Sequence, residues 1–248
     1  MRTSITDRDD RNLLRDNSSL HTAVEWSEIF NGRYAPQLIE KFCKARKWLL
    51  KDSDGLLRRR YDLKEDFFSV WTEGMAYTLG FLFATGTLSD NRIEMRCDVK
   101  VRESMDLIAR VIGYQDDLIV GGNVNMCSIT IVNKRLYKDL LVILNGNITL
   151  GHFPSSVPFP FIRHFVRGFF DGNADVVGGE ISFCGYNDFF LELWDVLNIY
   201  ACTEGGVYDG IGRRLRFDVQ DSQRIAKFMY HKNPKFLLQR KFRLLEGS

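Results

Sequence analysis

Apolar and polar positions alternate with a period of two over three stretches of the chain. Ile93, Met95, Cys97 and Val99 interleave with Arg92, Glu94, Arg96, Asp98 and Lys100. Leu215, Phe217 and Val219 interleave with Arg214, Arg216 and Asp218, and Cys127, Ile129 and Ile131 with Met126, Ser128 and Thr130. Successive strand residues face opposite sides of a sheet, so each stretch predicts a strand with one buried and one wet face. Between the strands the period lengthens to that of helices. The predicted order is a strand at Arg92–Val101, a helix at Glu103–Ile112, strands at Leu118–Val120 and Asn125–Val132, and a helix at Lys134–Leu144. A second series follows: a strand at Glu180–Cys184, a helix at Asp188–Ile199, strands at Gly205–Tyr208 and Arg213–Val219, and a helix at Ser222–Tyr230.

The two series are copies. AYTLGFLFATGTLS (Ala76 to Ser89) and HFVRGFFDGNADV (His164 to Val176) align at an offset of 88 residues, which pairs Gly80 with Gly168, Phe81 with Phe169, Leu82 with Phe170 and Ala84 with Gly172. Each half therefore reads αββαββα, an α+β domain with pseudo-twofold symmetry. A glycine inside a helix costs ~1 kcal/mol relative to alanine, and two at the same place in both copies need a reason. Gly80 and Ala84 are four apart, as are Gly168 and Gly172, so each pair leaves a flat strip on one helix face where two backbones can press together. Phe81, Leu82, Phe169 and Phe170 then anchor each helix in the core of its own half.

The rest of the chain divides into an N-terminal extension (1–60), a first repeat (61–150) and a second repeat with a basic C-terminal helix (151–248). The first twenty or so residues are polar and predict a frayed end. From His21 to Leu50 short helices are expected, one with an apolar stripe of Val24, Trp26, Ile29 and Phe30, and a second with Leu38, Ile39 and Phe42. Helix, short turn, helix is the outline of a helix-turn-helix.

Charge narrows the partners. Lys and Arg number 34 against 32 Asp and Glu, a net +2, which excludes a wholly basic binder but not local basic patches. Lys41 to Lys64 carries nine bases against three acids, including Arg58, Arg59 and Arg60. Lys232, Lys235, Arg240, Lys241 and Arg243 form a basic side to a C-terminal amphipathic helix. These clusters, with Arg92, Arg96, Lys100, Arg214 and Arg216 on the wet sheet faces, are the candidate nucleic-acid contacts. Glu94 and Asp98 offset part of that charge, either as acceptors for cytosine amino groups or in cross-strand ion pairs. The five cysteines lack Cys-x-x-Cys spacing and read as core thiols, and the four histidines lack ligand spacing, so no metal site is expected. No apolar run approaches the ~20 residues of a membrane span and no secretory leader is visible, so a cytoplasmic or organellar-matrix protein is expected.

The repeated segments resemble the signature helices of the LAGLIDADG homing endonuclease family. The nine-residue signature maps onto Thr78–Gly86 and Val166–Ala174, and the similarity extends from about Tyr61 through the run before the first signature to HKNPKFLLQRKF. The resemblance implies two helices meeting on the pseudo-twofold axis and two four-stranded antiparallel sheets forming a saddle over the DNA major groove. It also implies an acid at the eighth signature position of each copy, where Mg²⁺ is held beside the scissile phosphates. Here those positions are Thr85 and Asn173. Neither carries charge, and at an effective dielectric of ~20 each lost charge pair at ~4 Å forfeits roughly 4 kcal/mol. The nearest acids are Asp171, two residues earlier and turned ~200° around the helix, and Asp175 and Asp90 just beyond the helices. The family's pocket lysine has Lys241 as its candidate.

The resulting expectation is a monomeric, sequence-specific binder of double-stranded DNA whose nuclease chemistry is lost or strongly impaired. No cofactor is expected, and Mg²⁺ only with residual nuclease activity. Bacterial regulators that join a substituted domain of this kind to a helix-turn-helix, in the reverse order, offer a precedent. Two alternatives stay open: an active endonuclease or nickase using Asp171, Asp175 or Asp90, and an intron maturase or ribonucleoprotein component that binds structured RNA.

Overall fold

The computed structural model describes residues 4–18, 21, 23–46, 63–114, 119–121, 125–185, 187–209, 213–232 and 234–246. The chain divides into two units, residues 1–62 with 114–116 and residues 63–113 with 117–248.

The first unit holds three helices, α1 (Arg8–Asn17), α2 (Ala23–Ile29) and α3 (Pro36–Ala45). Within the polar N-terminal stretch, Arg8–Asn17 is thus a capped helix and not a frayed end. Asp7 caps α1, accepting hydrogen bonds from Asp9 N at 2.9 Å and Asp10 N at 3.2 Å, and Leu14 is buried. Ile5, Leu14, Trp26, Phe30, Tyr34, Ile39 and Cys43 make one small core. Inside it Asp10 accepts a 2.7 Å bond from the Tyr34 hydroxyl and one from Arg33 at 3.1 Å. The stripe expected on α2 is narrower than read: Trp26 and Phe30 are buried, but Val24 and Ile29 face solvent. A seven-residue helix has room for only one buried ridge. Arg58, Arg59 and Arg60 lie outside the described residues.

The second unit carries the duplicated architecture. The first copy runs α4 (Glu73–Thr85), β1 (Gly86–Ser89), β2 (Arg92–Asp98), α5 (Arg102–Ile112), β3 (Ile119–Gly121), β4 (Met126–Val132) and α6 (Lys134–Ile143). The second runs α7 (Phe159–Asn173), β5 (Ala174–Val177), β6 (Glu180–Cys184), α8 (Asn187–Tyr200), β7 (Val207–Asp209), β8 (Arg214–Phe217) and α9 (Val219–Met229), and α10 (Gln239–Glu246) follows. Each copy builds a four-stranded antiparallel sheet, ordered β1-β2-β4-β3 and β5-β6-β8-β7. The register repeats with the sequence: Leu88 lies opposite Ile93 as Val176 lies opposite Ile181.

Several boundaries differ from the periodicity, each for a local reason. β1 and β5 have no periodic signature of their own, because four-residue strands that follow a helix without a break leave too short an alternation. Two-residue turns fold them back, Asp90-Asn91 with φ of 37° and 62° and Gly178-Gly179 with φ of 59° and 84°. β2 stops at Asp98, whose carboxylate accepts Lys100 N at 2.7 Å and starts a 3-10 turn over Val99–Val101. β8 stops at Phe217 because Asp218 caps α9, accepting Asp221 N at 2.8 Å, so Val219 is an exposed first helical residue and not a strand residue. The C-terminal helix covers only Gln239–Glu246, and Lys232 and Lys235 precede it. α7 starts at Phe159 behind Pro158, five residues before the repeated stretch begins at His164.

Cys43, Cys97 and Cys127 are buried thiols, whereas Cys184 is half-buried and Cys202 exposed, so the reading of all five as core residues fails for these two. Cys97 and Cys127 face each other across β2 and β4 with Sγ atoms 3.3 Å apart.

The long helices α4 and α7 hold the halves together. A methyl group on Gly80 would collide with the Phe165 carbonyl oxygen and lie 2.9 Å from Phe169 N; one on Gly168 would collide with the Tyr77 carbonyl and lie 2.9 Å from Phe81 N. These contacts are reciprocal under the 88-residue offset, as in an isologous interface. Gly80→Ala or Gly168→Ala pits a methyl group against backbone that cannot yield, and each should cost about 3 kcal/mol or more. Gly205→Ala, which meets nothing within 4 Å, should stay within about 0.5 kcal/mol of the parent. Urea denaturation of the three variants checks the contrast.

Candidate nucleic-acid interface

The seam fixes where the eighth signature positions go. Equivalent residues Ala84 and Gly172 meet on the pseudo-twofold axis, a Cβ at Gly172 falling 2.5 Å from that of Ala84. Thr85 and Asn173 follow immediately as the last residues of α4 and α7, so both tips sit beside the axis where strands begin. Their side chains are turned onto the protein's own backbone. Thr85 Oγ1 donates to Phe81 O at 2.8 Å, one helical turn back, and Asn173 Nδ2 donates to Cys184 O on β6.

A metal ion is implied at this place by the resemblance, and the residues present do not fit one. Both tip groups are neutral and engaged, and among the described residues no cluster of three His, Cys, Asp or Glu side chains is disposed to hold a metal. Next to the first tip a 1170 Å³ cavity opens between β1 and the segment 148–152, and Asp188 is the one carboxylate among its described lining residues.

The three nearby acids are used otherwise. Asp90 is a hairpin residue. Asp175 is exposed and pairs with Arg214 at 3.3 Å. Asp171 is fully buried: its Oδ2 accepts from the Tyr77 hydroxyl at 2.7 Å and from Leu238 N at 2.8 Å, while Oδ1 has no protein partner. Burial pushes its carboxyl up to about 6, against the opposing pull of the Tyr77 bond, Lys241, the Leu238 amide and Arg167.

Asp171 belongs to a buried polar network that sequence reasoning missed. Arg167 is completely enclosed, donating to Phe236 O, to Met229 O at 2.7 Å and toward His164 Nδ1 at 2.8 Å. Burial, then the two flanking cations Arg167 and Arg163, depress His164 to about 3. The Tyr77 hydroxyl bridges α4 and α7, donating its one proton to Asp171 at 2.7 Å and accepting from the Ser104 hydroxyl at 2.9 Å. The one available signal was an arginine inside an apolar helix, Val166-Arg167-Gly168-Phe169, where the first copy has Leu79. Lys241 also joins this network. It is buried, and its Nζ donates to the carbonyl oxygens of Phe170 (2.7 Å) and Asp171 (3.0 Å), which caps the C-terminal end of α7. It is therefore not part of an exposed basic helix face. The side chain of Arg240 lies outside the described residues.

The wet faces of the two sheets carry most of the remaining candidates. On the first, Glu94 pairs along its own strand with Arg96 at 2.6 Å and Arg92 at 3.6 Å, in place of a cross-strand pair. On the second, Arg214 pairs with Asp175 across β6, and Arg216 is exposed. Lys100 sits in the turn after β2, off the sheet face.

No protein-family model and no curated protein matches the chain. Several solved structures are similar to it. One is the crystal structure of the I-LtrWI LAGLIDADG homing endonuclease bound to target DNA, 9% identical, covering 74% of this chain and 88% of that one with a TM-score of 0.48. Another is a double mutant of I-SmaMI, 13% identical, covering 70% of this chain and 97% of that one with a TM-score of 0.42.

The Asp171 carboxyl gives the second unit a pH signature. Its pKa is higher folded (about 6) than unfolded, so the folded state holds the proton more tightly and the associated stability is present below about pH 4 and lost as pH rises through 6. The full swing is of order 3 kcal/mol. Asp171→Asn keeps an acceptor for Tyr77 and Leu238 N but cannot titrate. Denaturation midpoints measured from pH 4 to 7 should fall with pH in the parent relative to this variant; parallel profiles would remove Asp171 as the cause.

Proposed function

We propose that the chain is a LAGLIDADG-family protein that binds duplex DNA on its two outward sheet faces and does not cut it. The observation that carries this reading is the contrast at the axis. The close-packed seam and both repeats are intact, while the two tip side chains are neutral and hydrogen-bonded to backbone. Tight helix packing needs small residues and no charge, so it persists without the acids, whereas a divalent cation needs anionic oxygen ligands and finds none at these positions. The alternative acids do not rescue the chemistry: Asp171 is enclosed, Asp175 is engaged by Arg214 and Asp90 turns a hairpin.

On this reading the sheets supply the interface. Arg92, Arg96, Arg214 and Arg216 offer guanidinium groups to phosphates or guanine edges, and Ser128 and Thr130 offer hydroxyls from the first sheet's face. The three-helix first unit is read as a second DNA-contacting module in this scheme, the role of regulator being one that binding without cleavage serves.

The test is a binding and cleavage assay on duplex DNA from the flanks of the protein's own gene, with and without Mg²⁺. Retarded, uncut DNA is expected; site-specific Mg²⁺-dependent cleavage would overturn the proposal, and preference for structured RNA would favour the ribonucleoprotein reading. Arg216→Ala should weaken duplex binding and reduce the salt slope by about 1. Thr85→Asp with Asn173→Asp should create Mg²⁺ affinity detectable by Mn²⁺ paramagnetic resonance, without loss of DNA binding.

A further inference from the structure

On the helical side of the second repeat, away from the outward sheet face, lies an open groove that the DNA-binding reading does not use. Its main part is an 860 Å³ cavity between the start of α7, the end of α8 and α9. Phe159, Ile199, Tyr200 and Phe228 form an apolar floor, and Arg163 and Lys227 stand over it. Phe159 and Ile199 are 68% and 67% exposed, a large apolar area to leave in water beside one another. A second cavity of 290 Å³, lined by Tyr230, Phe242 and Leu245, shares Lys227 and His231 with the first and continues the groove toward α10.

Charge in the groove has one sign. No carboxylate is among its described lining residues. Arg224 is already satisfied by Glu204 at 2.6 Å and Asp221 at 2.9 Å, but Arg163 and Lys227 pair with no acid among the described residues. The aromatic rings are not laid out for nucleobases. Tyr200 lies 5.3 Å from Phe159 at a tilt of 45° and 6.4 Å from Phe228 at 13°, so its nearest ring neighbours belong to the protein itself. The joined cavities are long and open, unlike an enclosed small-molecule pocket. Arg163 lies ten residues before Asn173, about 15 Å along the helix at ~1.5 Å per residue, so an occupant of the groove leaves the tips and sheets free.

We infer that this groove is a docking site for an acidic, amphipathic helical segment of another protein, its aliphatic side chains on Phe159, Ile199 and Phe228 and its carboxylates toward Arg163 and Lys227. The inference stands on unit-two geometry alone and is independent of whether the sheets bind DNA.

The probe is a fluorescein-labelled peptide of about 18 residues built from leucine and glutamate, with leucines at i, i+3, i+4 and i+7. A scrambled peptide of the same composition and a single-stranded RNA of similar length serve as competitors. Fluorescence anisotropy on the full chain should show saturable binding of the patterned peptide, about tenfold or more tighter than the scrambled one. Ile199→Asp and Lys227→Glu, both exposed changes, should each weaken it by about tenfold with thermal midpoints unchanged. Equal affinity for both peptides, binding unmoved by the variants, displacement by the RNA, or a concentration-dependent dimer that Ile199→Asp dissolves would each overturn the inference, the last assigning the groove to a second copy.

Discussion

Everything in the second unit is arranged around the place where two helix backbones touch. At Gly80 and Gly168 there is no space for even one methyl group, and the carbonyls that forbid it, Phe165 and Tyr77, belong to equivalent positions of the two copies. A seam of this kind is fixed in register: sliding either helix by a residue would put Phe81 or Phe169 where only a hydrogen fits. Because Ala84 meets Gly172 one turn further on, the residues after them are delivered to the axis regardless of their chemistry. The scaffold thus places Thr85 and Asn173 beside the pseudo-twofold axis, and their side chains decide separately what can be bound there.

The twofold symmetry is a property of the apolar seam and fails in the polar groups behind it. Arg167 and Asp171 of the second copy correspond to Leu79 and Phe83 of the first under the 88-residue offset. The second copy is overlaid by the end of α9 and the segment that follows it, whose backbone supplies Met229 O, Phe236 O and Leu238 N. Burying a guanidinium and a carboxylate costs several kcal/mol each, and the backbone partners offset that only when geometry is met at every atom. The arrangement therefore acts as a strap with one permitted docking position, tying residues 236–241 to α7 and, through Tyr77, to α4. Phe83, freed of that duty, packs against Phe165 and Phe189 of the other copy.

Much of this is legible in the sequence. The duplication, the αββαββα order and the glycine strips follow from spacing, because helix and strand periods and the cost of an interior glycine are local physics. What escaped was set by pairing over distance. β1 and β5 are too short to alternate, and β2 and β8 end where Asp98 and Asp218 capture backbone amides, which periodicity does not register. Lys241 reads as surface charge because a run of lysines and arginines looks solvated; its two carbonyl acceptors lie 71 and 70 residues away in sequence. For Arg167 the signal was present, since a charged residue between Val166 and Gly168 in a helix otherwise apolar has to be partnered if it is buried.

The near neutrality of the wet faces bears on how the proposed binding of duplex DNA would work. Glu94 occupies both Arg92 and Arg96, and Asp175 occupies Arg214, so the free sheets present little uncompensated positive charge. These pairs are exposed on the arginine side and worth at most about 1 kcal/mol each, less than a guanidinium gains from a phosphate or a guanine edge with counterion release. Binding would then exchange one partner for another, and each carboxylate left behind would repel any phosphate not matched by its arginine. A surface of that kind discriminates by misfit more than it attracts by field, which suits selection of one site among many and makes non-specific sliding weak.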